Sequence, residues 1–116
     1  MGVAVNIRGP QGPPGNNAPS YQLLANGATA MAFATKATSK VTPTATATYT
    51  TTVPAAGTVC TLIILTSGTT SYTITFGTGF KTTGTLATGT VTAKVFTFVF
   101  ISDGVTLYQI ARSTAM

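Results

Sequence analysis

The sequence is poor in acids. One carboxylate, Asp103, stands against six Lys and Arg, and charged residues make up 6% of the chain, where an ordinary soluble protein has about a quarter. There is no His, no Trp and a single Cys. One carboxylate cannot form an acid/base pair. Without His, and with one Cys and one Asp, no common zinc or calcium site assembles within one chain, so neither a metal nor a cofactor is expected. Ser and Thr nucleophiles are plentiful, yet a nucleophile needs a base and an orienting group, and no His supplies them. The chain therefore reads as a non-enzyme. Cys60 has no intrachain partner and lies in the apolar run Val59–Leu65, where a thiol reads as buried and inert; such a chain folds in a reducing cytosol. Long apolar runs are missing too. Val59–Leu65 and Val95–Ile101 fall far short of the roughly 18 residues of a spanning helix. Met1–Arg8 has no basic region followed by a long apolar stretch, so neither a membrane partner nor a secretory signal is expected.

The net charge of +5 reflects scarce acids rather than abundant bases. Arg8, Lys36, Lys40, Lys81, Lys94 and Arg112 are scattered, without the clustering on one element that nucleic-acid binding uses, and no nucleic-acid partner is expected. Threonine is what the chain has in excess, 27 of 116 residues. The hydrophobic fraction of 44% suffices for a core. Together these point to one β-rich domain that works by shape and assembly.

Three segments follow along the chain. Residues 1–8 read as an extended arm, with Val3, Val5 and Ile7 alternating before Arg8. Residues 9–17 carry glycine at every third position, with Gly9, Pro10, Gly12, Pro13, Pro14 and Gly15 obeying the Gly-X-Y rule of collagen, in which only glycine fits the crowded axis of three chains. Two readings of this segment stay open: a trimeric collagen-like stem, or a polyproline II linker of a single chain. Residues 18–116 read as a β-rich trimerisation or knob domain.

Within that domain, Leu23–Ala25 reads as the start of a short helix cut off by the Asn26-Gly27 turn. Ala28–Thr35 alternates weakly, and Lys36–Pro43 reads as a polar connection. Thr44–Val53 places Thr on every even position, the pattern of a half-buried strand. Thr58–Leu65 is apolar on both faces, as in a central strand or one facing a neighbouring subunit. Tyr72, Ile74 and Phe76 read as the next strand of a hairpin, and Phe80–Val91 as one or two short strands. Lys94–Ile101 and Thr106–Arg112 flank Asp103-Gly104, a hairpin turn with positive φ available at the glycine. Phe96, Phe98 and Phe100 share one face of that strand, and Val95, Val99 and Ile101 the other. A strand apolar on both sides needs cover on both, and in so small a chain the second cover points to another subunit. Ile63, Leu65, Phe96, Phe98, Phe100 and Ile101 are accordingly the expected trimer-interface or core residues. The expected fold is all-β, an antiparallel sandwich or jelly roll of about seven or eight strands.

The order of parts adds a resemblance. Ile74–Gly77, Phe80–Gly89, the Phe96–Tyr108 hairpin and the ending Arg112–Ala115, preceded by the Gly-X-Y segment, resemble small tail-fibre, head-fibre and capsid-decoration proteins of tailed phages. Tyr108 departs from the pattern, standing where Trp is often found. The resemblance implies a virion structural protein on the capsid exterior, made in the host cytoplasm: a homotrimeric decoration or head-fibre protein that docks on the major capsid protein through Val3, Val5, Ile7 and Arg8. The short chain favours the head over the tail. The alternative is a tail-fibre or receptor-binding knob that holds host surface glycans with Tyr21, Tyr49, Tyr72 and Tyr108. Thr44–Thr52 also offers the Thr-x-Thr face used in ice binding, but one strand is not an array and no fixed period repeats.

Overall fold

Alternating β-branched and polar residues make strands throughout residues 20–116, the part of the chain that the computed structural model describes. The expected arm (1–8) and Gly-X-Y stem (9–17), with Val3, Val5, Ile7, Arg8, Gly9, Pro10, Gly12, Pro13, Pro14 and Gly15, lie outside the described residues. Ten strands follow: β1 (Tyr21–Leu23), β2 (Ala30–Met31), β3 (Thr38–Val41), β4 (Ala47–Thr51), β5 (Val59–Leu65), β6 (Thr73–Phe76), β7 (Phe80–Lys81), β8 (Leu86–Ala87), β9 (Val95–Ser102) and β10 (Leu107–Arg112). No helix occurs among the described residues, and the domain is all-β.

Its topology corrects the expected antiparallel sandwich or jelly roll. One sheet runs β1-β3-β5-β9-β10-β7 and the other β2-β4-β6-β8. β1, β3 and β5 are parallel to one another, as are β2, β4 and β6. Each of the first three coils lays one strand in each sheet, so the coils stack in the manner of a solenoid. The chain changes sheet at its turns instead of folding back: β6 does not form the expected hairpin with β5 but pairs with β4 and β8. Period-2 alternation states which side chains face inward and is the same for parallel and antiparallel strands. The coils also differ in length, since Tyr21 stacks on Thr38 and Thr38 on Thr61, so no fixed period marks them.

Two local readings change with it. β1 occupies Leu23, where a helix start was expected, and β3 runs through the presumed polar connection. In β3 only Ser39 and Val41 point inward, both fully buried, too few to show a pattern. The last third of the chain reverses direction. β9 runs antiparallel along all of β5, from Val59 opposite Ile101 to Leu65 opposite Val95. It then turns through Asp103-Gly104 into β10, and β7 closes the edge parallel to β10.

The core lies between the sheets. Leu62, Ile64, Phe98 and Phe100 from one side meet Tyr49 and Ile74 from the other, with Phe33 entering from the turn after β2; all are at most 1% exposed. Each such side chain contributes about 1.5–3 kcal/mol of burial. Phe33, Phe76, Phe80, Phe98 and Phe100 form one cluster, with ring centroids 5.1 Å apart for Phe76 and Phe98 and 5.0 Å for Phe80 and Phe100. Threonine hydroxyls serve where the chain leaves the ladders. Thr51 Oγ1 accepts from Phe33 N (3.3 Å), Thr88 Oγ1 from Tyr72 N (2.8 Å) and Thr66 Oγ1 from Lys94 N (2.8 Å). Backbone donors at the corners thus find partners that a ladder does not offer.

Candidate functional site

Register decides which side chains share a face of the six-stranded sheet, because paired residues point to the same side. Of the residues expected at a trimer interface or core, Phe96, Phe98 and Phe100 lie in the chain's own core, buried. Ile63, Leu65 and Ile101 lie on the opposite, outer face of the sheet. There Val59 pairs with Ile101, Thr61 with Val99, Ile63 with Thr97 and Leu65 with Val95. Six aliphatic side chains therefore sit together on the two long central strands. Val59 is 50% and Ile101 37% exposed, while Ile63, Leu65, Val95 and Val99 are half-buried. Tyr108 continues the row beside Ile101, and on the far side Lys40 stands beside Ile63, followed by Leu23 on the edge strand. Scattered exposed aliphatics are ordinary. A contiguous apolar set on one sheet face is a candidate interaction surface. The outward alternation of β9 was readable in the sequence; its alignment with β5 was not.

Asp103 and Gly104 stand at the turn of the last hairpin. Gly104 has φ 91°. Asp103 Oδ1 accepts from Val105 N (2.8 Å) and Thr106 N (2.7 Å), and Oδ2 accepts from the Tyr108 hydroxyl (2.9 Å). Hydrogen bonds from the Thr106 amide, then the Val105 amide, then the Tyr108 hydroxyl hold this exposed carboxyl below the usual carboxylate range. The same hydrogen bond to Asp103 raises the Tyr108 phenol. The only side-chain carboxylate in the chain is thus used to lock a turn. Of the other tyrosines, Tyr49 is buried and Tyr72 partly so, and Tyr21 is 48% exposed.

A cavity of about 320 Å³ opens where β6, β7 and the loop after β7 meet. Phe76 and Phe80 supply an apolar wall, Thr75, Thr82 and Thr85 line the remainder with Gly84, and Lys81 is the one charged residue of the lining. Arg112, reaching inward from β10, fixes the loop. Its guanidinium lies 4.7 Å from the centre of the Phe98 ring and donates to Thr85 O (2.9 Å) and Gly84 O (3.0 Å). It also donates to Gln109 Oε1 (2.9 Å), which in turn accepts from Thr83 N (3.3 Å). Burial lowers the pKa of this guanidinium from its ordinary value. Sequence reasoning missed this clasp, because Arg112 is far along the chain from the loop that it holds and no spacing links them. The chain matches no protein-family model, no curated protein and no solved structure.

Proposed function

We propose that this chain is a structural protein of a virus particle, a homotrimer that docks on the major capsid protein and decorates or stabilises the head. The observation that carries the assembly is the outer sheet face, where Val59, Ile63, Leu65, Val95, Val99 and Ile101 lie side by side on β5 and β9 with no layer of the described chain over them. Apolar area of this kind gains free energy when another copy covers it. The assignment to a virion rests on the sequence resemblance of Thr73–Met116, and the choice of three copies rests on the Gly-X-Y segment. In this mechanism the arm holds the shell, the Gly-X-Y segment gathers three chains, and three weak grips add up through effective concentration. The non-catalytic reading has the same basis as before: a chain without His whose one carboxylate closes a turn.

Native mass measurement of the full chain tests the assembly. A mass near three times 11.7 kDa is expected. Val99→Lys, placed at the centre of the outer face, is expected to give monomers that keep the wild-type far-ultraviolet spectrum. A wild-type monomer at micromolar concentration, or a Val99→Lys trimer, would refute the proposed interface. Docking is tested separately, by co-sedimentation with empty capsids.

A further inference from the structure

We propose that Asn26-Gly27 and Asp103-Gly104 are latent modification sites for succinimide formation, which the fold closes by hydrogen-bonding the attacking amide, with Ser102 as the guard at Asp103. They are the only Asn-Gly and Asp-Gly pairs in the sequence, and both Asn26 and Asp103 are exposed. A following glycine has no side chain to hinder its amide. In the reaction the glycine nitrogen loses its proton and attacks Cγ of the residue before it, closing a five-membered ring. Asn expels ammonia, and a protonated Asp expels water. Water then opens the ring at either carbonyl, leaving Asp or isoaspartate, whose main chain is longer by one carbon. The step needs only water.

Neither glycine is exchangeable. Gly27 has φ 80° and Gly104 φ 91°, a region that favours glycine, and a Cβ on Gly27 would stand 2.5 Å from Thr44 Oγ1. The turns thus require the very residue that makes them labile, and protection has to come from its surroundings. Gly27 N donates to Thr42 O (2.8 Å). Gly104 N donates to Ser102 Oγ (2.9 Å), and that hydroxyl donates to Pro54 O (2.7 Å). Ser102 is buried, which fixes the relay in place. An amide engaged in this way must give up its hydrogen bond before it attacks. At Asp103 the electrophile is held as well. Val105 N, Thr106 N and the Tyr108 hydroxyl all bind its carboxyl group and favour the ionised form, which has no good leaving group. Reaction therefore waits on local opening of the turn.

The full chain would be incubated at neutral pH, native and in urea, and conversion at Asn26 and Asp103 followed by peptide mapping. Both pairs are expected to react at least about tenfold more slowly in the native chain. Ser102→Ala should raise the native rate at Asp103 severalfold and leave Asn26 unchanged, a split that a general loss of stability would not produce. Tyr108→Phe, at an exposed position, should also raise the Asp103 rate by loosening the carboxyl group, and it decides the matter if Ser102→Ala does not fold. The proposal is overturned if native wild type reacts as fast as the chain in urea, if neither variant speeds Asp103, or if a folded Ser102→Ala chain speeds both sites alike. None of these rates requires a particle or a particular number of copies, so this inference and the proposed function are tested apart.

Discussion

Tyr49 carries the one phenol sealed in the core, 1% exposed, and its hydroxyl has no hydrogen-bond partner among the described residues. Burial pushes its pKa from 10.0 up to about 12. The unfolded chain releases this proton first, so stability falls as pH rises between about 10 and 12, by at most about 1.4 kcal/mol per pH unit. Urea unfolding of wild type and Tyr49→Phe across that range should show the steeper alkaline loss in wild type alone. At neutral pH Tyr49→Phe should be neutral or stabilising by up to about 1 kcal/mol, because it removes an unpaired buried hydroxyl. Gly79 poses the opposite constraint. It has φ 93°, and a Cβ there would run into the backbone carbonyl of Thr51. Gly79→Ala should cost about 2–4 kcal/mol through strain and overlap together, read as a lower urea midpoint.

The β9–β10 hairpin is the element most legible in the sequence, since Asp-Gly between two apolar runs specifies both the turn and its glycine. What the residues did not disclose is that Asp103 binds three donors at once, one of them the tyrosine of the returning strand. Its folded pKa is lowered, so its contribution is present above the unfolded value near 3.9 and is lost as pH falls through the lower folded value. Asp103→Ala should therefore lower the Tm at pH 7, and the difference from wild type should shrink in acid, as thermal melts at the two pH values would show. The coils before the hairpin were less legible. β1, β2 and β3 are short, and β3 shows only Ser39 and Val41 to the core, so their pairing with longer neighbours, not their own pattern, makes them strands.

For the whole molecule, the long central pair β5–β9 does two things at once. Its inner residues hold the two sheets together, and its outer residues form the face proposed for assembly. A copy-to-copy interface makes stability depend on concentration through mass action. The expected trimer should therefore melt at a higher temperature as the chain is concentrated, while Val99→Lys should melt independently of concentration. This thermal readout belongs to the same prediction as the native mass and fails with it.

By itself the sequence determined the all-β class, the hairpin at Asp103-Gly104 and the two-sided character of β5 and β9, because alternation, turn chemistry and composition are local properties. Tertiary structure alone decided the rest. Strand direction and neighbour depend on where the chain crosses between sheets, and crossings of unequal length leave no period to read. The same is true of the cavity: Arg112 and the loop it clasps meet only because β10 is folded back against β7, a contact between residues distant in the chain.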